Sequence, residues 1–398
     1  MYPRFKENNL FLTDERISIA QVLSRYGYAT AAFHSNPHLA AYFGYDRGFD
    51  VFEDHVGARR ESAFAGVERK IRQRYDRERG FKILRSATRL FPLRTLKMYL
   101  GKEVPYEKAD IINREAIKWT MDNLKGFFLW IHYMDVHAPY LPPQPLLEHF
   151  RSVKLANRIS RGERKISLSD LKMLSELYDE EVRYVDHQLG LFLQKLKELG
   201  IWLENTYMII TSDHGEEFME HGGVGHRPKG GPKLYDELLR VPLIIAGPEL
   251  PRKRVDTQVA LLDLAPTIAE LVGHGKNVAF LGQSLVRQMK LPFTREKGVI
   301  SEYQYKRRRA YSYRKKKWKY ILTINGGVVE ELYNLHVDPA EQENVVVQET
   351  LEAKRSRDLI ESHISFEQRI DSATRAEKWR VRRHIGKIRE KTGRCPLY

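Results

Sequence analysis

A short apolar run that ends in two potential metal ligands places the strongest constraint on how this chain can fold. Residues 207–210 read Tyr-Met-Ile-Ile, and residues 211–216 read Thr-Ser-Asp-His-Gly-Glu. The apolar run is short and partly β-branched, which predicts a buried strand of a parallel sheet. Ligand sites of open α/β sheets lie just beyond the carboxyl ends of the strands, so Asp213 and His214 are expected at such a site.

The residues after this pair predict a sharp turn followed by a helix. Gly215 permits backbone conformations that other residues avoid, and Glu216 and Glu217 would suit the first turn of a helix. In that arrangement the Asp213 carboxylate has an alternative role as the N-cap of the helix. The conformation of the chain after His214 therefore bears on whether Asp213 is a metal ligand or a cap.

A second apolar run ends in a similar polar cluster. Residues 127–131 read Phe-Phe-Leu-Trp-Ile, and residues 132–140 read His-Tyr-Met-Asp-Val-His-Ala-Pro-Tyr. A third polar segment, His-Gly-Gly-Val-Gly-His at residues 221–226, comes soon after the Asp-His pair. Because several such clusters follow predicted strands, we expect them to converge on one site.

The strand-like and helix-like segments alternate, which predicts a mainly parallel sheet covered by helices on both faces. The predicted strands are residues 29–33, 126–131, 207–210 and 241–246, and the predicted helices are residues 18–26, 108–124, 168–199 and 263–272. From about residue 292 the pattern changes to short strands, at residues 309–313, 318–323 and 330–333. Asn-Gly-Gly at residues 325–327 predicts a hairpin turn between the last two.

Composition is typical of a large globular protein, with 42% hydrophobic residues in 398. The single cysteine, Cys395, excludes an internal disulfide and favours a cytoplasmic protein. No apolar run reaches membrane-spanning length.

The net charge of +15 is concentrated at residues 59–102, 306–317 and 374–394. Such segments attract anionic polymers, although solvated basic helices explain them more simply.

An ordered series of motifs runs from about residue 12 to about residue 344. Its members are Ile-Ala-Gln-Val-Leu at 19–23, Gly-Tyr at 27–28, Phe-His-Ser-Asn-Pro at 33–37, Gly-Tyr-Asp-Arg-Gly-Phe-Asp at 44–50, His-Ala-Pro-Tyr at 137–140, a Tyr-to-Asp helix at 178–186, Asp-His-Gly-Glu at 213–216, Leu-Tyr-Asp-Glu at 234–237, Val-Pro-Leu at 241–243, Glu-Leu-Tyr-Asn-Leu at 331–335 and Asp-Pro at 338–339. This series resembles the sulfatase family of the alkaline-phosphatase superfamily, most closely its archaeal-looking members.

Two elements of the family pattern do not occur in the sequence. Sulfatases carry an N-terminal strand that ends in metal-binding aspartates, followed by a Cys- or Ser-x-Pro-Ser-Arg motif whose first residue becomes formylglycine. The chain is therefore expected to lack the first strand and the nucleophile segment. Cys395 does not replace them, because a residue near the chain end has little structure around it to activate a thiol.

The resemblance implies roles for individual residues. Asp213 and His214 correspond to metal ligands, with Ca²⁺ expected and Mn²⁺, Mg²⁺ or Zn²⁺ left open. His137 resembles a histidine that contacts the sulfate ester, with a core histidine as the alternative. His226 resembles the cationic residue that holds the sulfate or protonates the leaving oxygen, and Lys229 is a rival for that role. Two further histidines, His132 and His221, are expected either to support the ligands from behind or to be structural.

The implied function is metal-dependent hydrolysis of a sulfate monoester on a sulfated small molecule or glycan. A phosphodiesterase or phosphonate hydrolase of the same superfamily, and a non-catalytic anion-binding protein, are the alternatives. The implied fold is an alkaline-phosphatase-like α/β domain at residues 1–290. A small antiparallel subdomain at residues 291–345 and a basic helical tail at residues 346–398 are expected to follow it.

Overall fold

The computed structural model describes residues 12, 17–55, 106–143, 155, 166–226, 233–275, 280–291, 297–305 and 308–366. The chain forms two compact units, the first made of Met1–Gly230 and Glu237–Arg295 and the second of Gly231–Asp236 and Glu296–Tyr398. The basic segment at 59–102, Lys229 and the basic helix expected at 374–394 lie outside the described residues. The predicted boundaries at residues 290 and 345 stay predictions.

The first unit alternates helices and strands. In chain order its described elements are α1 (Ile19–Arg25), β1 (Ala29–His34), β2 (Val51–Glu53), α2 (Ala109–Asp122), β3 (Phe127–His132), α3 (Leu168–Glu198), β4 (Met208–Thr211), β5 (Glu217–Phe218), β6 (Val224–Gly225), α4 (Asp236–Leu239), β7 (Leu243–Ala246), α5 (Leu264–Leu271) and α6 (Val286–Lys290). The four predicted strands and four predicted helices of this unit all form, with ends that shift by one or two residues. The short strand β2 was not predicted.

A parallel three-stranded sheet of order β2-β1-β3 lies at the centre of this unit. Strand β1 is almost entirely buried, and its side chains pack with residues of α2 and α3 such as Ile112 and Leu196. Helix α1 begins with a capping box, because Ser18 accepts from the Gln21 amide and the Gln21 side chain accepts from the Ser18 amide. The register pairs His34 with His132, so β1 and β3 end side by side at one edge of the sheet.

The pairing of strand β4 differs from the prediction. It pairs with β7, and the two strands run antiparallel, with Thr211 opposite Leu243. The apolar run at residues 207–210 was predicted to be a buried strand of a parallel sheet, but β4 is only half-buried and its neighbour runs antiparallel. An apolar run does not reveal the direction of the neighbouring strand.

The second unit confirms the predicted antiparallel C-terminal sheet. Its strands β8 (Val299–Tyr305), β9 (Arg308–Lys315), β10 (Trp318–Ile324) and β11 (Val328–Asn334) pair in sequential order, and a helix, α7, covers residues 350–366. The predicted hairpin turn joins β10 to β11, while β8 was not predicted. Buried Lys319 pairs with Asp236 and Glu341, each at 2.8 Å.

In the part of the chain that the structure describes, helices that combine the length and the apolar character needed to cross a membrane are absent.

Candidate active site

The ends of β1 and β3 place two histidines, buried His34 and partly buried His132, at one edge of the sheet. The His34 ring packs against Phe52 and Trp130, and burial, with nearby His132 and His55, lowers the pKa of His34 to about 3. Burial also lowers the pKa of His132, against the opposing influence of the Asp213 carboxylate. Both rings are therefore neutral at pH 7, and the role of His132 stays a prediction.

Asp213 and His214 follow β4, as predicted. The Asp213 side chain is 55% exposed and its Oδ1 accepts from the His214 amide at 3.0 Å. The Nδ1 atom of His214 donates to the Gly215 carbonyl at 2.9 Å. This bond fixes the tautomer of the neutral ring, so the lone pair lies on Nε2, which is 3.7 Å from Asp213 Oδ2.

The helix predicted after Asp213 does not form. Residues 217–218 form β5, which pairs antiparallel with β6 in a short hairpin. Glu217 is buried, and its Oε1 accepts from the amides of His221 and Gly223 in the turn, at 3.0 and 2.8 Å. The prediction was wrong because this carboxylate binds the amides of a turn instead of those of a helix. Asp213 consequently has no helix to cap.

Gly215 is required for a reason other than the predicted sharp turn. Its φ is not positive, but a Cβ atom at this position would lie 2.0 Å from the Glu237 carbonyl oxygen. The Gly215 amide donates to the Leu238 carbonyl at 2.9 Å. The absence of a side chain therefore allows the loop that carries Asp213 and His214 to lie directly against α4.

The β5–β6 hairpin returns the chain so that His226 meets the other two histidines. The His226 ring centroid lies 3.9 Å from that of His214 and 4.9 Å from that of His137. The sequence thus correctly predicted that His137, His214 and His226 converge.

Glu216 is the residue of this cluster that sequence reasoning missed. Its Oε1 lies 2.7 Å from His226 Nδ1, and its Oε2 accepts from the Tyr140 hydroxyl at 2.5 Å. Burial favours the neutral carboxyl, but the hydrogen bonds from His226 and Tyr140 outweigh it and lower the pKa of Glu216. An ionised Glu216 holds Nδ1 of His226, so that Nε2 is the ring atom left for a ligand.

The surroundings of His137 favour its neutral form. Its Nδ1 donates to the Ala138 carbonyl at 2.5 Å, and burial together with His226 lowers its pKa. Neutral His137 therefore carries its lone pair on Nε2. A bound anion beside the ring would favour the protonated form.

The remaining candidates are not part of this cluster. His221 lies at the hairpin turn, where its amide donates to Glu217 and its Nε2 is 3.7 Å from Glu237 Oε1. These contacts suit the structural role predicted for it. Lys229 lies outside the described residues.

The donor atoms at the end of β4 fit a divalent cation. Asp213 offers a carboxylate oxygen, and His214 offers an Nε2 lone pair whose orientation the Gly215 carbonyl fixes. His214, Glu216 and His226 also lie close enough to share an ion. Both Glu216 oxygens already accept hydrogen bonds, from His226 and from Tyr140, so Glu216 supports the His226 ring.

Removing the hydroxyl of Tyr140 tests this support. Tyr140→Phe should lower the free energy of unfolding by about 1–3 kcal/mol, because a buried Glu216 oxygen loses its partner. Urea unfolding at pH 7 measures the loss. Tyr184→Phe is the matched control, since its hydroxyl binds the more exposed Asp110 and should matter less. Equal losses in the two variants would contradict the assigned role of Glu216.

The fold and the site together define an α/β protein of the alkaline-phosphatase superfamily. The family model described as Sulfatase matches residues 8–274, and one described as N-sulphoglucosamine sulphohydrolase, C-terminal, matches residues 231–365. The chain belongs to the sulfatase family.

Individual relatives agree with this assignment. The chain is 30% identical over 261 residues to arylsulfatase K of Bos taurus, covering 62% of this chain and 47% of the relative. It is 28% identical over 206 residues to the uncharacterized sulfatase YidJ of Escherichia coli (strain K12), covering 50% and 39%. The chain thus spans about half of the length of the curated relatives it matches, or less.

Solved structures share the fold at low sequence identity. A phosphonate monoester hydrolase of Agrobacterium radiobacter has a TM-score of 0.64 at 20% identity, covering 90% of this chain and 81% of that one. A protein solved in complex with its substrate D-glucosamine-2-N,6-O-disulfate has a TM-score of 0.61 at 18% identity, covering 90% and 83%. At these identities the likeness concerns the fold alone.

Proposed function

We propose that this chain forms the metal-binding and leaving-group side of a hydrolase that cleaves sulfate monoesters. The observation that carries the proposal is the convergence of His137 and His226 on His214, beside Asp213, in a chain of the sulfatase family. The cluster combines ligands for a cation with imidazoles that can take up or release protons near neutral pH.

Asp213 and His214 would hold the divalent cation, with Ca²⁺ expected first because a carboxylate is a hard ligand. When bound, such an ion neutralises charge on the non-bridging oxygens of the ester. The bond from His214 Nδ1 to the Gly215 carbonyl keeps the ring from rotating, so Nε2 stays directed as a ligand.

His226 is the residue best placed to act on the leaving oxygen. The ionised Glu216 carboxylate lies 2.7 Å from its Nδ1 and holds the ring so that Nε2 points away from Glu216. A protonated His226 can attract the sulfate group and give a proton from Nε2 to the departing alkoxide or phenoxide. Lys229 remains the alternative donor.

His137 contributes through its neutral resting state. Its lowered pKa leaves the ring neutral before an ester binds, and an anionic ester beside the ring would raise that pKa. Protonation of His137 would then add a second positive charge next to the ester. Binding of an anion should consequently tighten as the pH falls below neutral.

The substrate is proposed to be a sulfated small molecule or glycan. Sulfated sugars are the first compounds to test, because a protein of similar fold was solved with D-glucosamine-2-N,6-O-disulfate. The basic segments of the sequence would favour anionic polymers in general. A phosphonate or phosphate ester is the alternative substrate, since the same fold also occurs in a phosphonate monoester hydrolase.

Hydrolysis of 4-nitrophenyl sulfate with Ca²⁺ or Mn²⁺ tests the proposal, with 4-nitrophenyl phenylphosphonate assayed alongside. Because the printed sequence contains no Cys- or Ser-x-Pro-Ser-Arg motif, we expect negligible turnover by residues 1–398 alone. A longer polypeptide that also carries this motif should release sulfate. Metal-dependent turnover by residues 1–398 alone would show that another residue is the nucleophile.

His226→Gln in the longer polypeptide should lower kcat for the sulfate ester by about 100-fold, as expected for the loss of a proton donor. His187→Gln is the control, because His187 is exposed on α3 and does not belong to the histidine cluster. Faster cleavage of the phosphonate than of the sulfate would favour the alternative substrate class.

A further inference from the structure

A buried lysine outside the histidine cluster joins two buried acids. Lys108 lies at the N-terminal end of α2, and its Nζ lies 2.9 Å from Glu181 Oε1 and 3.5 Å from Asp135 Oδ1. The same Nζ donates to the Leu141 carbonyl at 2.7 Å. Both acids have fully buried side chains, whereas that of Lys108 is 15% exposed. We call Lys108, Asp135 and Glu181 the buried triad.

The buried triad holds the polypeptide between Asp135 and Leu141 at both ends. At the first end, Lys108 Nζ lies 3.5 Å from Asp135 Oδ1, and Tyr106 adds a hydrogen bond from its hydroxyl to the Asp135 carbonyl at 3.1 Å. At the second end, the Leu141 amide donates to Glu181 Oε1 at 2.9 Å, next to the bond from Lys108 to the Leu141 carbonyl. His137 lies within the segment held in this way.

A second link leads from this segment to the histidine cluster. Tyr140 directly precedes Leu141, is almost fully buried, and donates its hydroxyl to Glu216. Glu216 in turn holds Nδ1 of His226. A shift of the segment would therefore move His137 directly and His226 through Tyr140.

The buried triad contains more acidic groups than basic ones. Two carboxyl groups share one ammonium group, and burial raises the pKa of Glu181 to about 7 even though Lys108 opposes the rise. Asp135 Oδ2 and Glu181 Oε2 have no hydrogen-bond partner among the described residues. Apolar side chains of similar volume are often at least as stable as a buried ion pair. Stability alone is therefore a weak explanation for the triad.

We propose that Lys108 and Glu181 are positioning residues, which fix the segment from Asp135 to Leu141 so that His137 and His226 face each other. The expected effect on the reaction rate rests on the proposed function. The positions of His137 and His226 can be measured without turnover. A side chain displaced by about 1 Å can lower a rate by about 100-fold, and we expect an effect of that size.

Lys108→Met tests the proposal, with two readouts. In protein labelled with ¹⁵N-histidine, the imidazole signals of His137 and His226, assigned with His137→Gln and His226→Gln, should shift or broaden. In the longer polypeptide that carries the nucleophile motif, kcat should fall about 100-fold with a smaller change in KM. Lys195→Met is the matched control, because Lys195 forms an exposed pair with Glu198 on α3 and should leave both readouts unchanged.

Two substitutions of Glu181 separate position from charge. Glu181→Gln keeps the oxygen that accepts from Leu141 and Lys108, so it should retain the wild-type imidazole signals and kcat. Glu181→Leu removes that acceptor and should behave as Lys108→Met does. Equal effects of Gln and Leu would contradict the proposal, because charge and not position would then matter.

The other possible results either overturn the positioning role or separate it from the proposed function. Unchanged imidazole signals in folded Lys108→Met would overturn the proposal, as would unfolding of both Lys108→Met and Glu181→Leu, which would show a role in folding alone. If the longer polypeptide cleaves no sulfate ester while the imidazole signals of residues 1–398 respond as expected, the proposed function fails and the positioning role stands.

Discussion

Asp213→Ala is expected to lower the affinity of the protein for Mn²⁺ by about 100-fold or more, and to abolish metal-dependent ester hydrolysis. The reason is that a carboxylate supplies both charge and an oxygen ligand, while substitutions even beyond the ligands themselves cost roughly 10–100-fold. Isothermal titration of residues 1–398 with Mn²⁺ measures the affinity without depending on turnover. The hydrolysis of 4-nitrophenyl sulfate by the longer polypeptide measures the activity.

Two matched variants sharpen this experiment. Asp213→Asn keeps an oxygen but removes the charge, so its affinity should lie between those of the wild type and Asp213→Ala. Asp256→Ala removes an exposed carboxylate that pairs with exposed Arg254, and it should bind Mn²⁺ as the wild type does. The Asp213 side chain is 55% exposed, so thermal unfolding without metal should change little. Wild-type affinity in Asp213→Ala would place the cation elsewhere, with Glu216 and His226 as the next candidates.

The elements of the fold were largely predictable because each carries its own local signal. The apolar run before His132 predicted β3 and the amphipathic pattern predicted α3, because both patterns depend on side chains that are close in sequence. Asn-Gly-Gly at residues 325–327 predicted the hairpin in the same way. Strand direction was less accessible, since the apolar run of β4 does not reveal that β7 runs antiparallel to it.

The β5–β6 hairpin shows where local signals mislead. Two glutamates after Gly215 suggest the start of a helix, but Glu217 accepts hydrogen bonds from amides four and six residues ahead, at His221 and Gly223. The glycines at 222, 223 and 225 were the available sign of a turn, and Gly222 adopts a φ of 79°. Acidic residues bind amides in helices and turns alike, so their presence alone does not choose between the two.

The histidines that meet at the candidate site were predictable from the sequence, but the residues that hold them in place were not. Polar clusters that follow predicted strands indicated that His137, His214 and His226 would meet, and this expectation follows from topology. The partnership of Glu216 with Tyr140 joins residues that are 76 positions apart, and no periodicity in the sequence records it. The buried triad was missed for the same reason, because Lys108 reads as an ordinary basic residue at the start of a helix.

Gly215→Ala should lower the free energy of unfolding by about 3 kcal/mol, a larger loss than we expect for Tyr140→Phe. The added Cβ would lie 2.0 Å from the Glu237 carbonyl oxygen and 3.1 Å from its carbon, and backbone atoms cannot turn aside as a flexible side chain can. The bond from the Gly215 amide to the Leu238 carbonyl would also lengthen. Because the shift starts next to His214, the affinity for Mn²⁺ should fall together with the stability.

Gly190→Ala is the matched control for this substitution and should have the opposite sign. Gly190 lies inside α3, and a Cβ there would meet no atom within 4 Å. Alanine in a helix interior should therefore stabilise the protein by about 0.5–1 kcal/mol, because it restricts the unfolded chain and favours the helix. Urea unfolding of both variants at pH 7 compares them directly. If Gly215→Ala were as stable as the wild type, the close contact between Gly215 and α4 would be disproved. The steric requirement for glycine at residue 215 would then be disproved as well.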